Sequence, residues 1–95
     1  MSLVIIGGNE CMERRYSQMC SRYGWKSKIF CKPQADMKNR IGKPDMLILF
    51  THTVSHKLVQ SVLPHVSQDT SVVRSHSSSL ASLQSILEEN TAAEA

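Results

Sequence analysis

The sequence predicts an α/β domain in three layers, a four-stranded parallel sheet of order 2-1-3-4 between helices, with flavodoxin- or Rossmann-like winding. Two runs, Leu3-Val4-Ile5-Ile6 and Met46-Leu47-Ile48-Leu49-Phe50, are short and unbroken in apolar character, as strands buried on both faces are. Stretches of helical period alternate with strands along the chain, and a βαβαβαβα succession calls for parallel pairing and right-handed crossovers. The other two strands are poorer, one interleaved with lysines and one very short, so they belong at the edges and the aliphatic pair at the centre.

Leu3–Ile6 ends in Gly7-Gly8-Asn9, a tight turn into a helix that Asn9 is placed to cap, with Glu10 and Glu13 at the positive end of its dipole. Met12, Tyr16, Met19, Cys20 and Tyr23 then make one apolar stripe, and Gly24 closes the helix. From Trp25 to Cys31 Lys26 and Lys28 alternate with Ser27 and Ile29, and Pro33 stops the strand. Gln34 to Ile41 reads as a weak helix closed by Gly42. After Met46–Phe50 a helix runs from about Val54 to Val66, with Val59, Val62, Leu63 and Val66 on one face; Pro64 should kink or break its last turn. Val72 and Val73 form a short last strand ending at Arg74 or Ser75. Ser77 or Ser78 caps a closing helix whose stripe is Leu80, Leu83, Ile86 and Leu87. In this winding the first helix covers one face, the second and third cover the other, and the last folds back beside the first.

A chain of 95 residues makes one domain, placed at residues 1–89, with residues 90–95 as a disordered tail that has nothing to bury. The net charge of +3 is mild and the basic residues are dispersed, so nucleic acid is not implied. No run approaches the ~20 apolar residues of a membrane span, and Leu3–Ile6 is too short for a signal-peptide core. A soluble, cytoplasmic protein is expected. Cys11, Cys20 and Cys31 are odd in number and hold no Cys-x-x-Cys spacing, which favours reduced thiols over a disulfide framework or a zinc ribbon.

In open α/β sheets ligands sit beyond the carboxyl ends of the strands where the strand order reverses, here between the first and third strands. Gly7-Gly8-Asn9 and Thr51-His52-Thr53 flank that point, and His76-Ser77-Ser78-Ser79 stands beside them. Together Gly-Gly-Asn-Glu after the first strand, Met12-Glu13-Arg14-Arg15-Tyr16, Phe50-Thr51-x-Thr53-Val54-Ser55-His56 and His76-Ser77-Ser78-Ser79-Leu80 resemble the small bacterial proteins of domain of unknown function 2325, over roughly Leu3 to Glu89. The resemblance implies a small cytosolic α/β domain and supplies no activity.

From the residues, the first expectation is a small anionic ligand, phosphate- or nucleotide-like, in a sensing or accessory role. Helix starts converge on this edge, and Gly7, Gly8, Asn9, Arg14, Thr51, Thr53, His56, Ser77, Ser78 and Ser79 are the candidate contacts, with Arg14 or Arg15 and Arg74 close enough to assist. The bland alternatives are a strand-to-helix turn for the glycines, a cap with solvated neighbours for the serines, and a solvated face for Arg14 and Arg15. The G-x-G-x-x-G fingerprint and a second nucleotide half are missing, which counts against a dinucleotide. A second expectation is a metal-binding redox or gas-responsive protein using His52, His56 and His76, and a third is a homodimeric interaction module. Ser77 with His56 and Glu13, or Cys11 in the first helical turn, can be drawn as a nucleophile, but no G-x-S-x-G elbow accompanies them. No catalytic residue or cofactor is assigned, and binding is favoured over enzymatic activity.

Overall fold

Strands β1 (Ser2–Ile6), β2 (Lys26–Phe30), β3 (Met46–Phe50) and β4 (Ser71–Ser75) form one sheet in the order β2-β1-β3-β4, every neighbouring pair parallel. The computed structural model describes residues 2–8, 10–31, 36–52, 54 and 56–92, excepting the side chains of Met37, Lys38, His56, Ser61 and residues 90–92. Helices α1 (Glu13–Arg22), α2 (Met37–Ile41), α3 (His56–Val62) and α4 (Leu80–Ala92) connect and close the sheet. This is the three-layer Rossmann-like arrangement that the strand compositions predict. All five residues of β3 are buried, as a centre strand requires, whereas Lys26 and Lys28 stand exposed on the outer strand.

Alternation along the strands separates two cores. Leu3, Ile5, Met46, Ile48 and Phe50 face one side and pack with Tyr16 and Cys20 of α1 and Leu83 and Leu87 of α4. Val4, Ile6, Leu47 and Leu49 face the other, against Ile41 of α2 and Leu58 and Val62 of α3. The last helix therefore does lie beside the first. Tyr23 donates its hydroxyl to Glu88 at 3.0 Å, a direct tie between the end of α1 and α4.

Several boundaries differ from expectation. A 3₁₀ turn, Glu10–Met12, precedes α1, and Asn9 lies outside the described residues. The second helix spans Met37–Ile41 and starts after Asp36, whose φ of +61° is left-handed; residues 32–35 lie outside the described residues. α3 gives way to a 3₁₀ turn at Leu63–His65, because Pro64 has no N–H to continue the ladder. Ser79, rather than Ser77 or Ser78, caps α4: its Oγ accepts the Ser82 N–H at 3.2 Å, satisfying one of the donors a helix start leaves unpaired. α4 runs on to Ala92, past the expected start of the tail at Asn90. Among the described residues no helix is long and apolar enough to cross a membrane.

None of the three cysteines is in a disulfide, and they sit in three environments: Cys11 exposed, Cys20 buried, Cys31 between the two. Burial pushes the Cys20 thiol up to about 11, the Ser27 hydroxyl partly opposing it. A raised thiol stays protonated in the fold while the unfolded chain ionises. Its stabilising contribution is therefore complete below its ordinary value and lost as pH climbs through about 11. Alkylation near neutral pH is expected to label Cys11 rapidly and Cys20 only at the rate of unfolding; equal rates, read by mass spectrometry, would contradict its burial.

Candidate functional site

The carboxyl edge of the sheet is built around Phe50. Its side chain is fully buried, with its ring centroid 5.5 Å from that of Tyr16. Its carbonyl accepts the Val54 N–H at 3.0 Å, turning the chain toward α3. Gly7 and Gly8 lie beside it with φ of +100° and +87°, and the Gly7 N–H donates to the Phe30 carbonyl at 2.9 Å. A methyl group at Gly8 would fall 2.9 Å from Cε2 of Tyr16, and one at Gly7 would fall 3.0 Å from Cβ of Val54. The two glycines are thus demanded by packing: the Tyr16 ring occupies the space over Gly8, and its hydroxyl donates to the Ser78 carbonyl at 2.6 Å.

That contact joins α1 to the loop after β4. The second link is between β3 and β4, where the Thr51 N–H donates to the Ser75 carbonyl at 2.9 Å and continues the ladder one step beyond the strands. The Thr51 hydroxyl reaches the same carbonyl at 3.4 Å. His52 and His76, both exposed, are brought together by this link, their ring centroids 5.0 Å apart and their planes inclined by 54°.

The serine loop is internally bonded. Ser77 Oγ accepts the Ser79 N–H at 3.3 Å and lies 3.1 Å from Ser79 Oγ, which in turn lies 3.1 Å from Ser82 Oγ. These hydroxyls organise the start of α4. Arg14 is placed elsewhere, lining a hollow of about 490 Å³ on the α1–β2 flank together with Glu10, Cys11, Glu13 and Ser27, so two carboxylates share its surroundings. Asn9 and Thr53 lie outside the described residues, as does the side chain of His56, whose backbone begins α3. Among the described residues no group of three or more His, Cys, Asp or Glu side chains could hold a metal ion together.

Arg74, expected close enough to assist an anion at this edge, takes a position apart from the glycine and serine loops. Arg74 pairs in register with Leu49, which puts its side chain on the α3 face of the sheet. There it lines a groove of about 220 Å³ with Thr51 and four apolar side chains, Leu49, Val54, Val59 and Leu63, and among the described residues no carboxylate belongs to that lining. The sequence signal for it was parity. Once Val73 is placed on the α1–α4 face, Val72 and Arg74 must take the other.

A family model described as "Uncharacterized protein conserved in bacteria (DUF2325)" matches residues 2–90. No curated protein and no solved structure matches the chain. With nearly its whole length matched, the chain belongs to this bacterial family.

Proposed function

We propose that this member of the DUF2325 family binds a small anionic ligand at the carboxyl ends of β3 and β4, acting in the cytoplasm as a sensor or accessory protein rather than an enzyme. The observation that carries the reading is the Arg74 groove, which sets an exposed guanidinium and the Thr51 hydroxyl against an apolar lining free of carboxylates among the described residues. An arginine so placed offers charge-assisted, forked hydrogen bonds to a phosphate or carboxylate head. Leu49, Val54, Val59 and Leu63 would take an apolar body attached to that head. The site is set apart from the one expected at Gly7, Gly8 and Ser77–Ser79, because side chains pack closely over the two glycines and the Ser77 and Ser79 hydroxyls bond one another. Three cysteines, none in a disulfide, suit a reducing compartment.

Titration with inorganic phosphate and with butyl phosphate, followed by backbone amide shifts, tests it. Shifts are expected at Thr51, Val54 and Arg74, and butyl phosphate should bind the tighter of the two, each buried methylene being worth about 0.8 kcal/mol. Arg74→Glu should weaken binding by about tenfold or more, the worth of a lost hydrogen bond to a charged group. Shifts confined to Lys26 and Lys28, or binding unchanged in Arg74→Glu, would overturn the reading.

A further inference from the structure

We infer that His52 and His76 form a two-imidazole site for a divalent transition-metal ion of the zinc, nickel or copper type. The inference stands apart from the Arg74 groove and uses none of its residues. Its first support is spacing. A metal held about 2.0–2.1 Å from a ring nitrogen lies roughly 3.1 Å from that ring's centroid, and two rings sharing it at a tetrahedral angle have centroids about 5.1 Å apart. The observed separation is 5.0 Å, and the 54° tilt is not that of parallel stacked rings.

The second support is how that spacing is held. The residue before His52 and the residue before His76 are the two bonded to each other, Thr51 N–H to Ser75 carbonyl at 2.9 Å, so both loops leave the sheet from a fixed point. Across His76, the Ser75 hydroxyl donates to the Ser77 carbonyl at 2.8 Å and holds the backbone turn at that residue. The β3–β4 ladder thus sets the two backbones from which the imidazoles reach each other.

The chemistry selects the ion. Imidazole nitrogens suit zinc, nickel and copper, whereas magnesium and calcium ask for oxygen ligands that this pair does not offer. Both rings are exposed, so a hydrated ion can reach them and keep open positions for water or an incoming ligand. His65 gives an internal comparison: it lies beside Asn39, Gly42 and Lys43, near the opposite, amino end of β3.

The test is calorimetric titration of untagged full-length protein with Zn²⁺ and with Ni²⁺ in phosphate-free buffer, alongside imidazole nitrogen shifts. One ion per chain is expected, with both rings shifting together. His52→Ala and His76→Ala should each weaken binding on the order of 100-fold, because the second ligand then no longer acts intramolecularly. His65→Ala should leave it unchanged. All three positions are exposed, so circular dichroism should report intact folds. Retention of the site in the His52→Ala/His76→Ala double variant, or an equal loss in His65→Ala, would overturn the assignment. Because no anion enters the measurement, failure of the groove to bind phosphate leaves this result independent.

Discussion

Replacing Gly8 with alanine is expected to cost about 3 kcal/mol of folding stability, the sum of a left-handed backbone that β-carbons resist and an overfilled contact. The first part follows from φ of +87°, the second from the Tyr16 ring atom 2.9 Å from where the methyl would stand. Tyr16 cannot simply swing away. It is fully buried, packed on Phe50, and tied through its hydroxyl to Ser78. Gly24 separates the two contributions, since its φ is also positive, +81°, but nothing lies within 4 Å of the added carbon. Gly24→Ala should therefore cost only the backbone part, about 1 kcal/mol. Urea denaturation of the two variants measures the difference; equal costs would mean that Tyr16 yields without penalty and that Gly8 is not held by packing.

The architecture was legible because composition sorts the strands before any contact is known. Five apolar residues in a row at Met46–Phe50 can only be buried on both faces, while Lys26 and Lys28 keep their strand at an edge, and the order β2-β1-β3-β4 follows. The break at Pro64 was legible for an equally local reason, the missing N–H. The site was less so. Gly7-Gly8 reads as a phosphate-binding turn until the residue that fills it, Tyr16, is seen to fold back from the next helix. Three consecutive serines look like a cradle, yet the hydroxyls of Ser77 and Ser79 form a chain ending at Ser82, a partner outside the motif. Arg74 was foreseen near the strand ends, but the face it takes depends on a single-residue parity in a five-residue strand, which the pairing with Leu49 fixes. The nearness of His52 and His76 was foreseeable from the strand order, but their 5.0 Å spacing depends on the Thr51–Ser75 bond.

Truncating Phe50 should have the largest effect of any single substitution considered. Phe50→Ala empties the centre of the α1–α4 core, where the ring is 0% exposed, and such truncations cost about 3–5 kcal/mol. For a domain of this size that approaches the whole of an ordinary stability, about 5–15 kcal/mol, so the variant should populate unfolded chain without denaturant or come close to it. Phe50→Leu, which keeps most of the volume, provides a measurable partner if Phe50→Ala does not fold. The physical claim is sharper in combination with Gly8. The Phe50 Cδ2 atom lies 3.3 Å from the position of a Gly8 methyl, and the Tyr16 ring, 2.9 Å from that position, packs against Phe50. A smaller residue at 50 gives Tyr16 room to retreat, so the penalty of Gly8→Ala should shrink by about 1 kcal/mol in the Phe50→Leu background, a coupling expected only of groups in contact. Additive costs in that double-mutant cycle would show that Gly8, Tyr16 and Phe50 do not form one packed unit, and the account of the β1–β3 crevice as filled rather than open would fall with it.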